Sequence, residues 1–193
     1  MIEGYILFVG TYTGSSHTEE EGIHCFQFDS ESGQLTALGT TSGIENPSFL
    51  AIDRERYRLY AVSEVGDVAR SALYAYAIDP TTGELTDLNQ QSTHGTSSCY
   101  VSLDQQGQYA LVANYGATDQ SVVMLPINAD GHLAPASSTH RHTGEFPGAD
   151  ANRQEAPHGH AILTDPTNQF ALACDLGANQ VKIYRLDAKN GQL

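Results

Sequence analysis

Apolar and polar residues alternate along short segments of this chain, and turn-forming residues separate these segments at close intervals. Typical segments are "YILFVG", "RLYAV" and "YALVAN", which are rich in Val, Leu, Ala and Tyr and are flanked by Gly, Asp, Asn or Pro. Short runs of this kind, bounded by turn residues, predict β-strands. No segment shows a helical period of comparable strength, so the pattern predicts an all-β protein.

The predicted strands recur as a repeat. Four turns contain Gly-x-Leu, in "FDSESGQLTAL", "IDPTTGELTDL", "INADGHLAPA" and "LDAKNGQL", at intervals of about 50 to 60 residues. Between them lies a second series of turns led by Asp53, Asp104 and Asp165, each of which separates two apolar strands. Each unit therefore holds four short strands, which is typical of a β-propeller blade. A β-sandwich is the alternative, but it does not require the recurring hairpin.

The phase of the repeat predicts a single domain, 1–193, with approximate blades at 5–43, 44–95, 96–156 and 157–193. The first unit lacks its innermost strand, and the last unit stops where its outermost strand should begin. Propellers have about four to eight blades, and closure of the ring protects the strand edges. We therefore expect the remaining blades to come from a longer chain or from a second copy.

The composition fits a globular protein, since 40% of the 193 residues are hydrophobic and no apolar run is long enough to cross a membrane. The N-terminal "MIEGYILFVGTYTG" has no basic region, so we expect no signal peptide. Cys25, Cys99 and Cys174 are scattered, with no Cys-x-x-Cys spacing. Such thiols fit a reducing compartment, and we expect a cytoplasmic protein without a membrane partner.

The net charge of −14 argues against a nucleic-acid partner, which would need a basic surface. Against this background, residues 139–160 hold two arginines and four histidines, although the chain has only 9 Lys and Arg residues. Within "RQEAPHGHAIL", His158 and His160 are two residues apart, so on a regular strand both would point to one face. Together with Arg153, they form the candidate site.

Several segments together resemble the bacterial seven-bladed propeller lactonases of the 6-phosphogluconolactonase type. They are "FVGTYT", "NPSFLAID", "CYVSLDQQGQYALVANY", "RQEAPHGHAIL" and "ACDLGANQVKIYRLD". The chain departs from the family at "NYGATDQS", which keeps only Gly116 of a glycine-rich turn, and at Asn179, where an Asp is expected. The resemblance implies antiparallel four-stranded blades, with this chain covering about the first half of a seven-bladed ring. It also implies that later blades add an arginine and a glutamate to the site.

The resemblance further implies hydrolysis of 6-phosphogluconolactone to 6-phosphogluconate. This reaction needs a base for water, a cation near the developing oxyanion and a clamp for the phosphate. His158 or His160 fits the base because histidine titrates near neutral pH. Arg153 fits the anion clamp because its planar guanidinium binds phosphate or carboxylate in a bidentate manner.

We expect further substrate-binding residues at the same end of the propeller. Glu64, Asn114 and Asp175 end the inner hairpins of successive blades, and Gln154 lies beside Arg153. A metal site is the alternative use of the histidine pair, with Asp175 or His142 as a third ligand. The chain lacks the ligand spacing typical of zinc and all nucleotide-binding motifs, so we expect no metal and no cofactor.

Two other functions remain open at this point. Arginine and histidine recognise carboxylates as well as phosphates, so the substrate could instead be a carboxymuconate-type compound, acted on by a cycloisomerase or lactonase. A propeller can also bind a ligand or a protein without catalysis, because the fold alone does not specify a reaction.

Overall fold

A computed structural model describes residues 4–13, 22–116, 120–144, 148, 150 and 152–193. Within these ranges the chain forms fourteen β-strands and no α-helix, which confirms the all-β prediction. The strands are β1 (Tyr5–Gly10), β2 (Ile23–Phe28), β3 (Leu35–Thr41), β4 (Leu50–Asp53), β5 (Arg58–Val62), β6 (Ala72–Ile78), β7 (Leu85–Ser92), β8 (Ser98–Leu103), β9 (Tyr109–Asn114), β10 (Val122–Pro126), β11 (Ser138–His140), β12 (Gly159–Thr164), β13 (Phe170–Asp175) and β14 (Gln180–Arg185). None of the described segments is a helix long and apolar enough to cross a membrane.

The strands form four antiparallel sheets in which neighbours in sequence are neighbours in space. We call these sheets the first blade (β1–β3), the second (β4–β7), the third (β8–β11) and the fourth (β12–β14). The strand β8 contacts both β4 and β12, so these three edge strands lie side by side as the innermost strands. This arrangement confirms the β-propeller, and β1 lies at the open inner edge of the first blade.

Both recurring turn motifs have a structural reason. The four glycines of the Gly-x-Leu turns have φ between +66° and +94°, a region that favours glycine. In the Asp-led turns the carboxylate accepts backbone N–H groups of the following residues. Asp104 Oδ1, for example, lies 2.6 Å from the nitrogen of Gln108 and 2.9 Å from that of Tyr109. The repeat in the sequence is therefore a repeat of turn chemistry.

The hydrophobic core lies between the blades. In β9, Ala110 and Val112 face the second blade, whereas Leu111 and Ala113 face the fourth. Burial on both faces explains why this strand is almost continuously apolar. The strands β1 and β14 alternate between exposed and partly buried residues instead, because only one of their faces packs on a described blade.

The position of Leu111 predicts how strongly the interface between the third and fourth blades contributes to stability. Leu111 is fully buried, so Leu111→Ala removes buried methyl groups and leaves a cavity. We expect the free energy of unfolding to fall by about 2–5 kcal/mol in urea titrations. Leu38→Ala is the matched control, since Leu38 is 39% exposed on an outer strand. Equal losses for the two variants would contradict this packing.

Candidate functional site

The ends of the inner hairpins meet at one end of the propeller. Three equivalent backbone hydrogen bonds mark it, from the N–H of Glu64 to Asn46 O, from Tyr115 to Ser97 O, and from Leu176 to His158 O. The sequence predicts that Asn114 and Asp175 occupy the position equivalent to Glu64. In the structure they lie one residue before it, because Tyr115 and Leu176 donate the backbone hydrogen bonds equivalent to that of Glu64.

The side chain of Asn114 is fully buried and engaged within the protein. Its amide nitrogen donates to Thr93 O at 2.9 Å and to Gln120 O at 2.8 Å, and its oxygen accepts the Ser98 hydroxyl at 2.8 Å. These bonds satisfy both polar atoms of the side chain. The structure therefore places Asn114 as a brace for the surrounding loops, beneath the surface that a substrate would contact.

The strands β8 and β12 begin with the same irregularity. The register shifts between Ser98 and Tyr100 in β8 and between Gly159 and Ala161 in β12, so each strand carries one extra residue. Such bulges redirect side chains and often lie beside active sites. The extra residue in β12 is His160, so the expected regular alternation with His158 does not hold. His158 is buried, whereas His160 is exposed.

Both histidine rings nevertheless contact one aromatic ring, that of Tyr115. The His158 ring stacks on it with centroids 4.4 Å apart, and the His160 ring meets its edge at 5.7 Å and 88°. His158 Nδ1 also lies 2.6 Å from Tyr115 O. A carbonyl oxygen only accepts hydrogen bonds, so Nδ1 carries the proton and the Nε2 of neutral His158 is a base.

Glu155 is the second side-chain partner of His158. Its Oε1 lies 3.1 Å from His158 Nε2, and half of the side chain is exposed. The pKa of Glu155 is lowered, first by its own backbone N–H and further by the hydrogen bond and charge of His158. A carboxylate oxygen also only accepts hydrogen bonds, so this contact belongs to the imidazolium, the form of His158 in which Nε2 has taken up a proton, and it stabilises that form.

Two predicted site residues, Arg153 and Gln154, lie in the turn before His158, and their side chains differ in their contacts. Gln154 Nε2 donates to Leu176 O at 3.1 Å, and Gln154 Oε1 accepts the N–H of Asp150 at 3.2 Å, so its amide holds the turn. Arg153 is exposed, and within the described part of the chain no hydrogen-bond or ion-pair partner faces its guanidinium. Of the two, Arg153 has the side chain that is free to bind an anion.

Asp175 lies behind His158 in a buried pair with His142. Asp175 Oδ2 is 2.5 Å from His142 Nδ1, and Oδ1 accepts the backbone N–H of His158 at 3.1 Å and that of Ala178 at 2.8 Å. Burial by itself raises the pKa of Asp175, but these hydrogen bonds outweigh it and lower the pKa to about 2. The structure thus places an ionised carboxylate directly under the backbone of His158.

Glu64 lies on the other side of the same surface. The hydroxyl of Tyr12 donates to Glu64 Oε2 at 2.9 Å, and this hydrogen bond is the main reason that the pKa of Tyr12 is raised. Burial, followed by the charge of Glu64, raises the pKa of the nearby Cys99 thiol to about 12. A thiol with that pKa stays protonated at neutral pH and is a poor nucleophile.

Side chains from all four blades are therefore linked by contacts at this end of the propeller, and we call this group the channel mouth. It consists of Tyr12, Glu64, Cys99, Tyr115, His158 and His160. Cys99 joins its two halves, because its Sγ lies 3.7 Å from His160 O and Glu64 acts on its pKa. Of this group, the sequence predicts His158, His160 and Glu64 as site residues, and Arg153 lies in the turn before His158.

Tyr115 and Glu155 are the contacts that the sequence analysis missed. Tyr115 follows Asn114 in "ANYG", and Glu155 lies three residues before His158 in "EAPH", so both were adjacent to residues that had been singled out. Among the described residues, no three His, Cys, Asp or Glu side chains are grouped to hold a metal, and the Nδ1 of His142 is bound to Asp175.

Comparison with known proteins finds relatives that match nearly the whole length of this chain. The family model for "Lactonase, 7-bladed beta-propeller" matches residues 6–193. The 6-phosphogluconolactonase of Bacillus subtilis is 36% identical over 189 residues, which are 98% of this chain and 51% of that protein. The 6-phosphogluconolactonase of Formosa agariphila is 26% identical over 186 residues, 96% of this chain and 51% of that protein.

A solved structure agrees with these relatives. The periplasmic gluconolactonase of Pseudomonas aeruginosa superposes with a TM-score of 0.84 at 31% identity, covering 96% of this chain and 51% of that one. The chain therefore spans about half the length of the relatives that it matches.

The pair of Asp175 and His142 predicts a loss of stability in acid. Because the folded pKa of about 2 lies below the ordinary 3.8, the carboxylate stabilises the fold above about pH 4 and loses this effect as the pH falls through 2. We expect Asp175→Asn to lower the free energy of unfolding at pH 7 and to flatten its slope between pH 4 and 2. Denaturant titrations at stepped pH measure both quantities.

The matched control for this prediction is Asp87→Asn, which changes an exposed carboxylate on an outer strand. It should leave the acid slope close to that of the wild type. If Asp175→Asn and the wild type lose stability equally over this pH range, the hydrogen bonds to Asp175 do not stabilise its charge.

Proposed function

Because this chain belongs to the family of seven-bladed β-propeller lactonases, we propose that it serves the hydrolysis of a phosphorylated sugar lactone at the channel mouth. The proposed substrate is 6-phosphogluconolactone, and the product is 6-phosphogluconate. The names of the relatives from B. subtilis and F. agariphila support this choice. The observation that carries the proposal is the His158 ring, whose Nδ1 is held by Tyr115 O so that Nε2 is available for proton transfer.

In the proposed reaction, water attacks the ester carbonyl carbon while His158 Nε2 takes one of its protons. The new C–O bond gives a tetrahedral oxyanion, and its collapse breaks the ring C–O bond. The departing alkoxide takes the proton back from the imidazolium, which regenerates the base. The new carboxylic acid then loses its remaining proton to solvent and leaves as the carboxylate product. A positioned histidine typically contributes a factor of about 10²–10⁴ to such a step.

Glu155 and His160 have supporting roles in this mechanism. The Glu155 carboxylate stabilises the imidazolium form of His158 at 3.1 Å and can turn aside for the substrate, because it is half exposed. His160 lies on the open side of Tyr115, and in its protonated form it would place a donor near the oxyanion. His160 is also the second candidate for the base.

Arg153 is the proposed clamp for the phosphate. Its guanidinium is exposed and, among the described residues, unpaired, in a chain with a net charge of −14. An acidic protein repels an anionic substrate at long range, so an exposed cation also selects where that substrate binds. We include Glu64 as a substrate-binding residue that would accept sugar hydroxyl groups across the mouth.

The complete site requires more blades than this chain supplies. The chain covers 51% of the B. subtilis relative, and the outer faces of β1 and β14 carry exposed apolar residues such as Leu7 and Ile183. We propose that further blades, from a longer chain or from a second copy, cover these faces and add an arginine and a glutamate to the mouth. Full activity is then a property of the closed ring.

We also propose a cytoplasmic location. The thiols of Cys25, Cys99 and Cys174 are unpaired, which fits a reducing compartment. The P. aeruginosa relative is described as periplasmic, so fractionation of cells that express the natural protein is the direct test.

The catalytic assignment predicts the effect of replacing His158. His158→Gln in the closed ring keeps a polar side chain of similar size but removes the base, so kcat for 6-phosphogluconolactone should fall by about 10²–10⁴-fold. His160→Gln should have a smaller effect, and His132→Gln on an outer hairpin is the control. Spontaneous hydrolysis must be subtracted from each rate.

Other outcomes of the same assay separate the competing functions. Full activity of His158→Gln would contradict the assignment of the base. Faster turnover of a carboxymuconate-type lactone than of the phosphorylated one would show that the site acts on that substrate class instead. Binding of both compounds without turnover in the wild-type ring would identify a non-catalytic propeller.

A further inference from the structure

We propose that the buried pair of Asp175 and His142 is a positioning device that sets the orientation of the His158 imidazole. This role differs from the substrate contact that the sequence suggested for Asp175. The catalytic consequence rests on the function proposed above, whereas the structural part can be tested without any activity.

Hydrogen bonds hold both carboxylate oxygens of Asp175 inside the protein. Its side chain is fully buried, and its two oxygens accept three N–H groups, from His142, His158 and Ala178. A substrate at the channel mouth cannot reach a carboxylate enclosed in this way. The bond to the backbone N–H of His158 instead fixes the point from which the imidazole projects.

His142 connects this carboxylate to the third blade. His142 follows β11, and its backbone N–H donates to the Ser121 hydroxyl at 3.0 Å. The carbonyl of Ser121 in turn accepts the N–H of Asn114, the residue before Tyr115. The pair therefore joins the blade that carries Tyr115 to the blade that carries His158.

This connection controls the distance between the His158 ring and the backbone of Tyr115. His158 Nδ1 lies 2.6 Å from Tyr115 O, across the junction of the two blades. Gly159 allows the close approach, since a Cβ there would lie 2.8 Å from Ser121 O. A shift of Asp175 relative to Ser121 would lengthen the bond from Nδ1 to Tyr115 O and release the ring from its single tautomer.

The two ring nitrogens of His142 differ in their surroundings. His142 Nε2 is buried and has no hydrogen-bond partner among the described residues. An unpaired buried polar atom is unfavourable, so the contact at Nδ1 is the polar contact that justifies a histidine here. Asparagine reproduces a donor near the position of Nδ1, whereas glutamine extends its amide one carbon further.

This difference gives a matched pair of variants, His142→Asn and His142→Gln. In ¹⁵N NMR spectra of the imidazoles of the closed ring, recorded at a pH at which His158 is neutral, the wild type should show His158 with Nδ1 protonated and Nε2 unprotonated. His142→Asn should preserve that signature. His142→Gln should give a mixture of His158 tautomers, which loss of stability alone would not produce in the folded fraction.

Kinetics of the closed ring provide the second readout. His142→Gln should lower kcat by roughly 10-fold or more, with KM nearly unchanged, because a misplaced base slows the chemical step. His142→Asn should restore most of kcat. Ser121→Ala, which removes the acceptor for the His142 N–H, should shift His158 in the same direction if His142→Gln does not fold.

The two proposals fail in different ways. An unchanged His158 spectrum in both His142→Gln and Ser121→Ala would overturn the positioning role, as would equal kcat values for His142→Asn and His142→Gln. Absence of lactone hydrolysis in the wild-type ring would overturn the proposed function alone, because the NMR comparison would still report on the coupling between His142 and His158.

Discussion

The packing of neighbouring sheets face to face is the constraint on which the rest of the structure depends. The third blade shows it most clearly, since alternate residues of β9 belong to different cores on either side of the sheet. Side chains as small as Ala110 and Ala113 let the neighbouring sheets approach closely along this strand. Because the second and third blades are held from both sides, the relative positions of their inner hairpin ends are fixed, although those ends lie far apart in sequence.

The channel mouth is a consequence of that packing. The inner edge strands β4, β8 and β12 lie side by side, so residues at their starts meet across blade boundaries. The bulges at Cys99 and His160 each add one residue to an inner strand, and these two residues lie on the same surface. Beneath it, buried polar groups such as Asn114 and Asp175 use hydrogen bonds to align the hairpins.

The repeat in the sequence was sufficient to predict the blades, because each Gly-x-Leu and Asp-led turn is a local device with its own hydrogen bonds. The local excess of histidine and arginine, rather than the repeat, points to His158 and His160. The repeat does not define the register to a single residue, so it aligns Asn114 and Asp175 with Glu64 although they lie one residue earlier. Nor could it reveal Tyr115 as the shared contact of the two histidines, since the bulge that exposes His160 depends on pairing between β12 and β13. Local motifs are legible in the chain, whereas contacts between blades are not.

The central claim is that the mouth binds an anionic sugar acid with its acyl group at His158. The most direct test is a crystal structure of the closed ring with 6-phosphogluconate, the proposed product. The account predicts the carboxylate of this ligand within about 2.6–3.2 Å of His158 Nε2 and its phosphate against the guanidinium of Arg153. Product bound elsewhere, for example in the outer groove beside Arg70, with an unoccupied mouth, would contradict it.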